Sequence, residues 1–141
     1  MGVTIKCERT GKSYDMGCGG FCNLRKKVAE LANAKFSELY EELTRTLFLR
    51  EKEFYDEWDR KLDQLLKTEK GLSSGIVDFC LQSDIEGKIN HRTCRLIYNV
   101  VKDYDDNIIY GYAAHPDAFR FRDFKGLLED CIRTKSPLFW F

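Results

Sequence analysis

The stretch "YDMGCGGFCNLRKK", Tyr14 to Lys27, holds the most chemically suggestive set of residues in the chain. Gly17, Gly19 and Gly20 run directly into an amphipathic basic segment, and Cys18 and Cys22 lie four apart within it. A glycine-rich turn ahead of a helix presents free amides, and the helix dipole favours an anion at that end. Arg25, Lys26 and Lys27 follow within two turns, so Gly19, Gly20 and these three bases form a candidate site for a phosphorylated small molecule. The spacing is not that of a P-loop, and "GCGGF" lacks the last glycine of a dinucleotide fingerprint. The competing and stronger reading is structural: Gly19 and Gly20 permit a sharp strand-to-helix turn.

The thiols suggest two further chemistries. Cys7 with Cys18 and Cys22 raises zinc, but structural zinc wants two close ligand pairs. The other candidates, Cys80, Cys94, Cys131, His91 and His115, are scattered singly along helical faces, so no metal site is expected. A nucleophilic thiol at Cys18 or Cys22 would gain from a helix N-terminus and nearby bases. It would still need a general base, and nothing in the sequence sets His91 or His115 beside it. No catalytic residue and no cofactor is assigned, and a cysteine-dependent enzyme ranks last among the readings.

Acidic groups supply the third kind of candidate. "QSDIEGKINHRT" resembles the middle of a calcium loop, with Gly87 at its sixth position. Gln82 then stands first and Thr93 twelfth, where the bidentate Glu belongs, so a compact metal-free linker between two helices is expected. Asp103, Asp105 and Asp106 surround Tyr104 at a helix end beside Asn107, where Asp is favoured by turn geometry alone. Together with Glu51, Glu53, Asp56, Glu57 and Asp59 they could instead face a basic surface on another protein. The tail "PLFWF" is aromatic enough for an interface centre, with Trp140 as its anchor, although such a run more often folds into its own core.

These groups must be positioned by elements that the periodicity outlines. "VTIKCERTGKSYDMG" alternates and breaks at Thr10-Gly11, which predicts a β-hairpin with Val3, Ile5 and Cys7 on one face. Apolar residues from Leu24 to Leu47 recur at helical steps, giving one helix or a pair over about 21–47, with Asn33 and Ser37 as the weak point. A charged amphipathic helix follows about Glu51. A short helix "IVDFCLQS" is capped by Ser73 or Ser74, the next by Asn90, and a last helix runs through "FRDFKGLLEDCIRTK". "NIIYGY" fits a short strand or a helix end. The expected fold is α+β, mostly α: residues 1–20 a β-hairpin and glycine-rich turn, 21–135 a bundle of about four to five helices, and 136–141 an aromatic tail that either adds an edge strand to the hairpin or lies exposed. One domain spans 1–141.

Composition narrows function further. The chain of 141 residues carries no formal net charge, which argues against a generic nucleic-acid binder. The charge is uneven: six basic and two acidic side chains over residues 1–28, eight basic and eleven acidic over 29–70. No run of about 18 apolar residues exists, and the start "MGVTIKCERTGK" lacks the apolar core of a signal peptide. A cytoplasmic setting is expected, where six cysteines stay reduced and serve as small apolar fillers.

"TGKSYDMGCGGFCNLRKKVAEL" and "QSDIEGKI…YDDNIIYGYAAHPDAFRFRDFKGLLEDC" resemble a family of small proteins, of no assigned chemistry, encoded by bacteriophages and other mobile elements of low-GC Gram-positive bacteria. The resemblance covers both ends of the chain and leaves residues 33–70 aside. It implies a bacterial host cell as setting and an accessory role against host machinery, of the anti-CRISPR or nucleotide-sponge kind. The expectation is therefore a non-enzymatic protein that binds and inhibits a defence factor such as a CRISPR effector nuclease. The alternative is a nucleotide-signal sponge, for which a homodimer would be natural.

Overall fold

A computed structural model of the chain describes residues 2–45, 51–110 and 118–141. Their order is β1 (Gly2–Cys7), β2 (Ser13–Gly17), α1 (Cys18–Ala32), α2 (Ala34–Arg45), α3 (Lys52–Thr68), α4 (Ser74–Leu81), β3 (Gly87–Ile89), α5 (His91–Val101), α6 (Phe121–Thr134) and β4 (Leu138–Trp140). The fold is mixed α+β and mostly helical, with the expected N-terminal hairpin. Gly11 closes the hairpin loop at φ +72°, a conformation that costs glycine little.

The sheet is antiparallel with strand order β2-β1-β4-β3. The aromatic tail does join the hairpin, pairing Cys7 with Leu138 and Ile5 with Trp140. It lies inside the sheet rather than at its edge, because the linker between α4 and α5 contributes β3 to its far side. The expected plain helix–turn–helix linker thus contains a strand. The outer edge of β3 is occupied by one side chain: Gln82 Nε2 donates to the Lys88 carbonyl at 2.8 Å, and its Oε1 accepts from the Lys88 amide at 2.9 Å. That amide makes the pair of bonds another strand would make, and so blunts the edge.

Alternation divides the sheet into two faces. Val3, Ile5, Cys7, Met16, Ile89, Leu138 and Trp140 turn inward and are buried. The Trp140 ring lies 5.4 Å from Phe21 and 5.5 Å from Phe79; Phe79 stacks on Phe124, which touches Phe121. These rings join β4 to α1, α4 and α6. The opposite face carries Thr4, Lys6, Asp15, Lys88, Phe139 and Phe141.

The stretch 21–47, expected as one helix or a pair, is a pair divided at Asn33, and the described residues hold six helices where about four to five were expected. Asn33 Oδ1 accepts from the Phe36 amide at 2.9 Å and so starts α2, as an N-cap side chain does. Leu47 lies outside the described residues. Ser73 caps α4 through the Gly75 amide and Asn90 caps α5 through the Thr93 amide, both as expected. Ahead of α6 the Arg120 amide donates to Asp123, and Tyr110 bonds to the Phe119 carbonyl at 2.8 Å. The "NII" segment therefore forms a single antiparallel bridge, Ile109 to Arg120.

Candidate functional site

The glycine-rich stretch is not a loop. Gly17 ends β2 and is also the N-cap of α1, so Gly19 and Gly20 lie in the first helical turn. A Cβ on Gly20 would collide with the carbonyl oxygen of Tyr110, whereas one on Gly19 would meet open space. Gly20 is thus explained by the close approach of the backbone at Tyr110. A carbonyl oxygen, negative in its partial charge, packs against the helix start where an anion had been considered.

The three bases do not converge on that start. Arg25 is only 6 % exposed, a correction to its expected place around a phosphate. Its guanidinium donates to the carbonyls of Phe79 at 3.1 Å and Gln82 at 2.6 Å, and lies 4.9 Å over the Phe21 ring. Those carbonyls belong to the last turn and C-cap of α4, which has no basic residue of its own there. Arg25 therefore satisfies the orphan acceptors at a neighbouring helix C-terminus and neutralises its dipole. Lys27 pairs with Glu30 at 2.8 Å and sits 5.0 Å over Tyr104, while Lys26 is half-buried.

Lys125 repeats the device from α6. It is buried, and its Nζ donates to the carbonyls of Lys102 at 2.9 Å and Tyr104 at 2.5 Å, the C-terminal end of α5. Asp106 completes the set at 2.7 Å. The Asp103–Asp106 cluster accordingly has a partly structural role: Asp106 neutralises Lys125, and Asp105 Oδ1 accepts from the Asn107 amide in a turn. Neither buried cation was read as a cap from sequence. The available signal was the absence of Lys and Arg from the last turns of α4 and α5.

The thiols separate into two groups. Cys7 stands at the turn end of the hairpin and Cys18 just past the other end, five strand steps away, or about 17 Å. One metal ion cannot bridge that span. Cys7, Cys94 and Cys131 meet instead between β1, α5 and α6, all fully buried. The hydrogen bond with Cys94, together with burial, holds the Cys131 thiol protonated. Burial pushes Cys80 up to about 12. Among the described residues no group of three His, Cys, Asp or Glu side chains could hold a metal ion, and the six cysteines form no disulfide. His91 opens α5; His115 lies outside the described residues.

The calcium-like loop is likewise accounted for by packing. Gln82 is committed to the Lys88 backbone, and a Cβ on Gly87 would collide with the Trp140 indole. Trp140, weighed as a partner anchor against the stronger reading of a core residue, is 1 % exposed and donates its Nε1 to the Ser83 carbonyl at 2.9 Å. Its wide ring is what the core between β4, α1 and α4 requires.

No family model, curated protein or solved structure matches this chain. One surface that the geometry leaves available is the α2–α3 pair. Glu51, Glu53, Asp56, Glu57 and Asp59 are all exposed at the N-cap and in the first half of α3, with Tyr55 42 % exposed among them. The basic residues of α3 other than Lys52 follow later, at Arg60, Lys61 and Lys67. This sign order also suits the helix dipole. Between α2 and α3 runs an open groove of about 550 Å³, lined by Lys35, Glu38, Leu39, Arg60, Lys61 and Leu65. No helix among the described residues is long and apolar enough to cross a membrane.

Proposed function

We propose that the chain is a non-enzymatic binding protein whose docking element is the acidic first half of α3. The observation that carries this reading is the concentration of five exposed carboxylates around a half-exposed Tyr55 on a helix whose main neighbour is α2 alone. An aromatic ring amid charge is the composition of an interface hot spot with its rim. The complementary partner is a basic, phosphate-binding surface, which such a row of carboxylates would occupy in place of nucleic acid. The resemblance noted above makes a bacterial defence nuclease, of the CRISPR effector kind, the partner class to test first. The sponge alternative gains nothing from the geometry, since Arg25 is spent on α4 and Lys27 on Glu30.

The test is inhibition of DNA cleavage by a panel of CRISPR effector nucleases, with the wild-type chain and with Glu53→Lys, Asp56→Lys and Glu57→Lys combined. The reading expects the wild type to inhibit at least one nuclease and the triple variant to lose that inhibition while keeping its helical circular dichroism. Inhibition that survives the charge reversal would remove α3 as the docking element.

A further inference from the structure

The outer face of the sheet shows an arrangement that the docking reading does not use. In register across three strands stand Lys6 on β1, Phe139 on β4 and Lys88 on β3. One row along, Phe141 pairs with Thr4 through two backbone bonds of 2.9 and 3.0 Å. Phe139 and Phe141 point the same way and stack, with ring centroids 5.7 Å apart and planes 23° from parallel. Phe141 remains 57 % exposed. A core role does not explain it, because the inward positions of β4 are filled by Leu138 and Trp140.

A shallow cavity of about 580 Å³ opens over these rings, bounded by Glu8 on one side and Glu86 and Lys88 on the other. Its floor is held still. Gln82 fixes the Lys88 backbone, and the buried Trp140 lies in sequence between the half-buried Phe139 and the exposed Phe141. Apolar rings on a rigid antiparallel sheet, with Lys88 at the cavity and Lys6 outside its lining but in register on the strand to the other side of Phe139, match the chemistry of a strand of unpaired bases: rings for the bases to stack on and cations for the phosphates between them. Neighbouring strands lie about 4.8 Å apart, so Lys6 and Lys88 flank the Phe139 ring at a separation of roughly 10 Å, wide enough to admit a base between two phosphate contacts. The carboxylates of Glu8 and Glu86 can accept from exocyclic amino groups on base edges.

We propose that this sheet face binds single-stranded nucleic acid, with Phe139 and Phe141 as stacking platforms and Lys6 and Lys88 as phosphate contacts. A basic peptide is the competing occupant that Glu8 and Glu86 would suit. The lysine on each side of Phe139 favours the polyanion. The zero net charge of the chain fits a local contact of modest affinity rather than a general polyanion surface. The face lies on elements other than α3, so the α3 charge reversal should leave this binding in place.

The test is fluorescence anisotropy of a labelled ten-nucleotide oligo(dC) at low salt, with a duplex of the same length and an arginine-rich peptide as comparisons. Saturable binding of the single strand in preference to the duplex is expected. Phe141→Ala should weaken it at least about fivefold, the low end for loss of one stacked base. Phe141→Trp should retain it, which separates loss of stacking from loss of fold. Lys88→Glu combined with Lys6→Glu should weaken it further and flatten its salt dependence by a slope of about 1.4, two phosphates' worth. No binding of the oligonucleotide, equal binding of duplex, preference for the peptide, or affinity unchanged by Phe141→Ala would each overturn the proposal.

Discussion

The sheet with α1, α4, α5 and α6 differs from the α2–α3 pair in where polar groups are spent. In the first region several are turned inward and consumed. Arg25 closes the end of α4, Lys125 the end of α5, Gln82 the edge of β3, and the Trp140 indole N–H the Ser83 carbonyl. In the second, one buried polar contact, Trp58 Nε1 to the Leu39 carbonyl at 2.8 Å, fastens α3 to α2, and the charges stay outside. The residues that look most functional in sequence therefore serve the fold. Those that look like an ordinary solvated helix are the ones left available to a partner.

The contrast can be broken most forcefully at Trp140. Trp140→Ala removes the ring between Phe21 and Phe79 and strands the Ser83 carbonyl, so a loss of about 4 kcal/mol in urea unfolding is expected. A loss below about 1 kcal/mol would show that the tail is not part of the core. Two adjacent glycines give the next test. Gly20→Ala drives a Cβ into the Tyr110 carbonyl, so the backbone around Tyr110 must shift, at a cost of about 2 kcal/mol. Gly19→Ala meets nothing and should stabilise by about 0.5 kcal/mol through helix propensity. If the two substitutions had equal effects, the close approach at Gly20 would be wrong and the glycines would again need a ligand to explain them.

Part of this contrast was legible in the sequence and part was not, for identifiable reasons. The hairpin, the Ser73 and Asn90 caps and the inward faces of α5 and α6 follow from periodicity and cap chemistry, which are local. β3 was missed because three residues carry no periodicity, and its reason to be a strand is the tail 53 residues away at Trp140, a pairing of Gly87 that only the fold supplies. The role of Arg25 stayed open because a base after glycines at a helix start looks the same whether it faces a phosphate or, one turn on, a buried helix end. The outward phase of Phe139 and Phe141 could have been counted from Leu138 and Trp140, but only once β4 was known to be a strand with one buried face.

A smaller effect probes how the α2–α3 pair is held. Trp58→Phe keeps most of the apolar bulk and removes only the bond to Leu39, leaving that carbonyl unpaired by the ring. The expected loss is about 1 kcal/mol. Limited proteolysis should show earlier cleavage within α3 than within α6, because the sheet and its helices do not depend on this contact. Equal acceleration at both helices would mean that the two regions unfold as one unit and that the contrast is only one of surface charge.

The smallest expected loss of stability belongs to the reversal of Glu53, Asp56 and Glu57, and its smallness is the point. All three side chains are exposed, and the one ion pair among them, Glu57 with Arg60 at 3.8 Å, joins groups that are both mostly in solvent. Such a pair contributes little. The measurable cost comes from the dipole, since positive charge at Glu53 in the first turn of α3 opposes it, by about 0.5 kcal/mol. A thermal melt that shifts by only a few degrees, alongside complete loss of nuclease inhibition, would separate binding from folding at these positions. A melt that collapses would place the carboxylates in the structural ledger with Arg25 and Lys125, and the docking element would have to be sought elsewhere on the molecule.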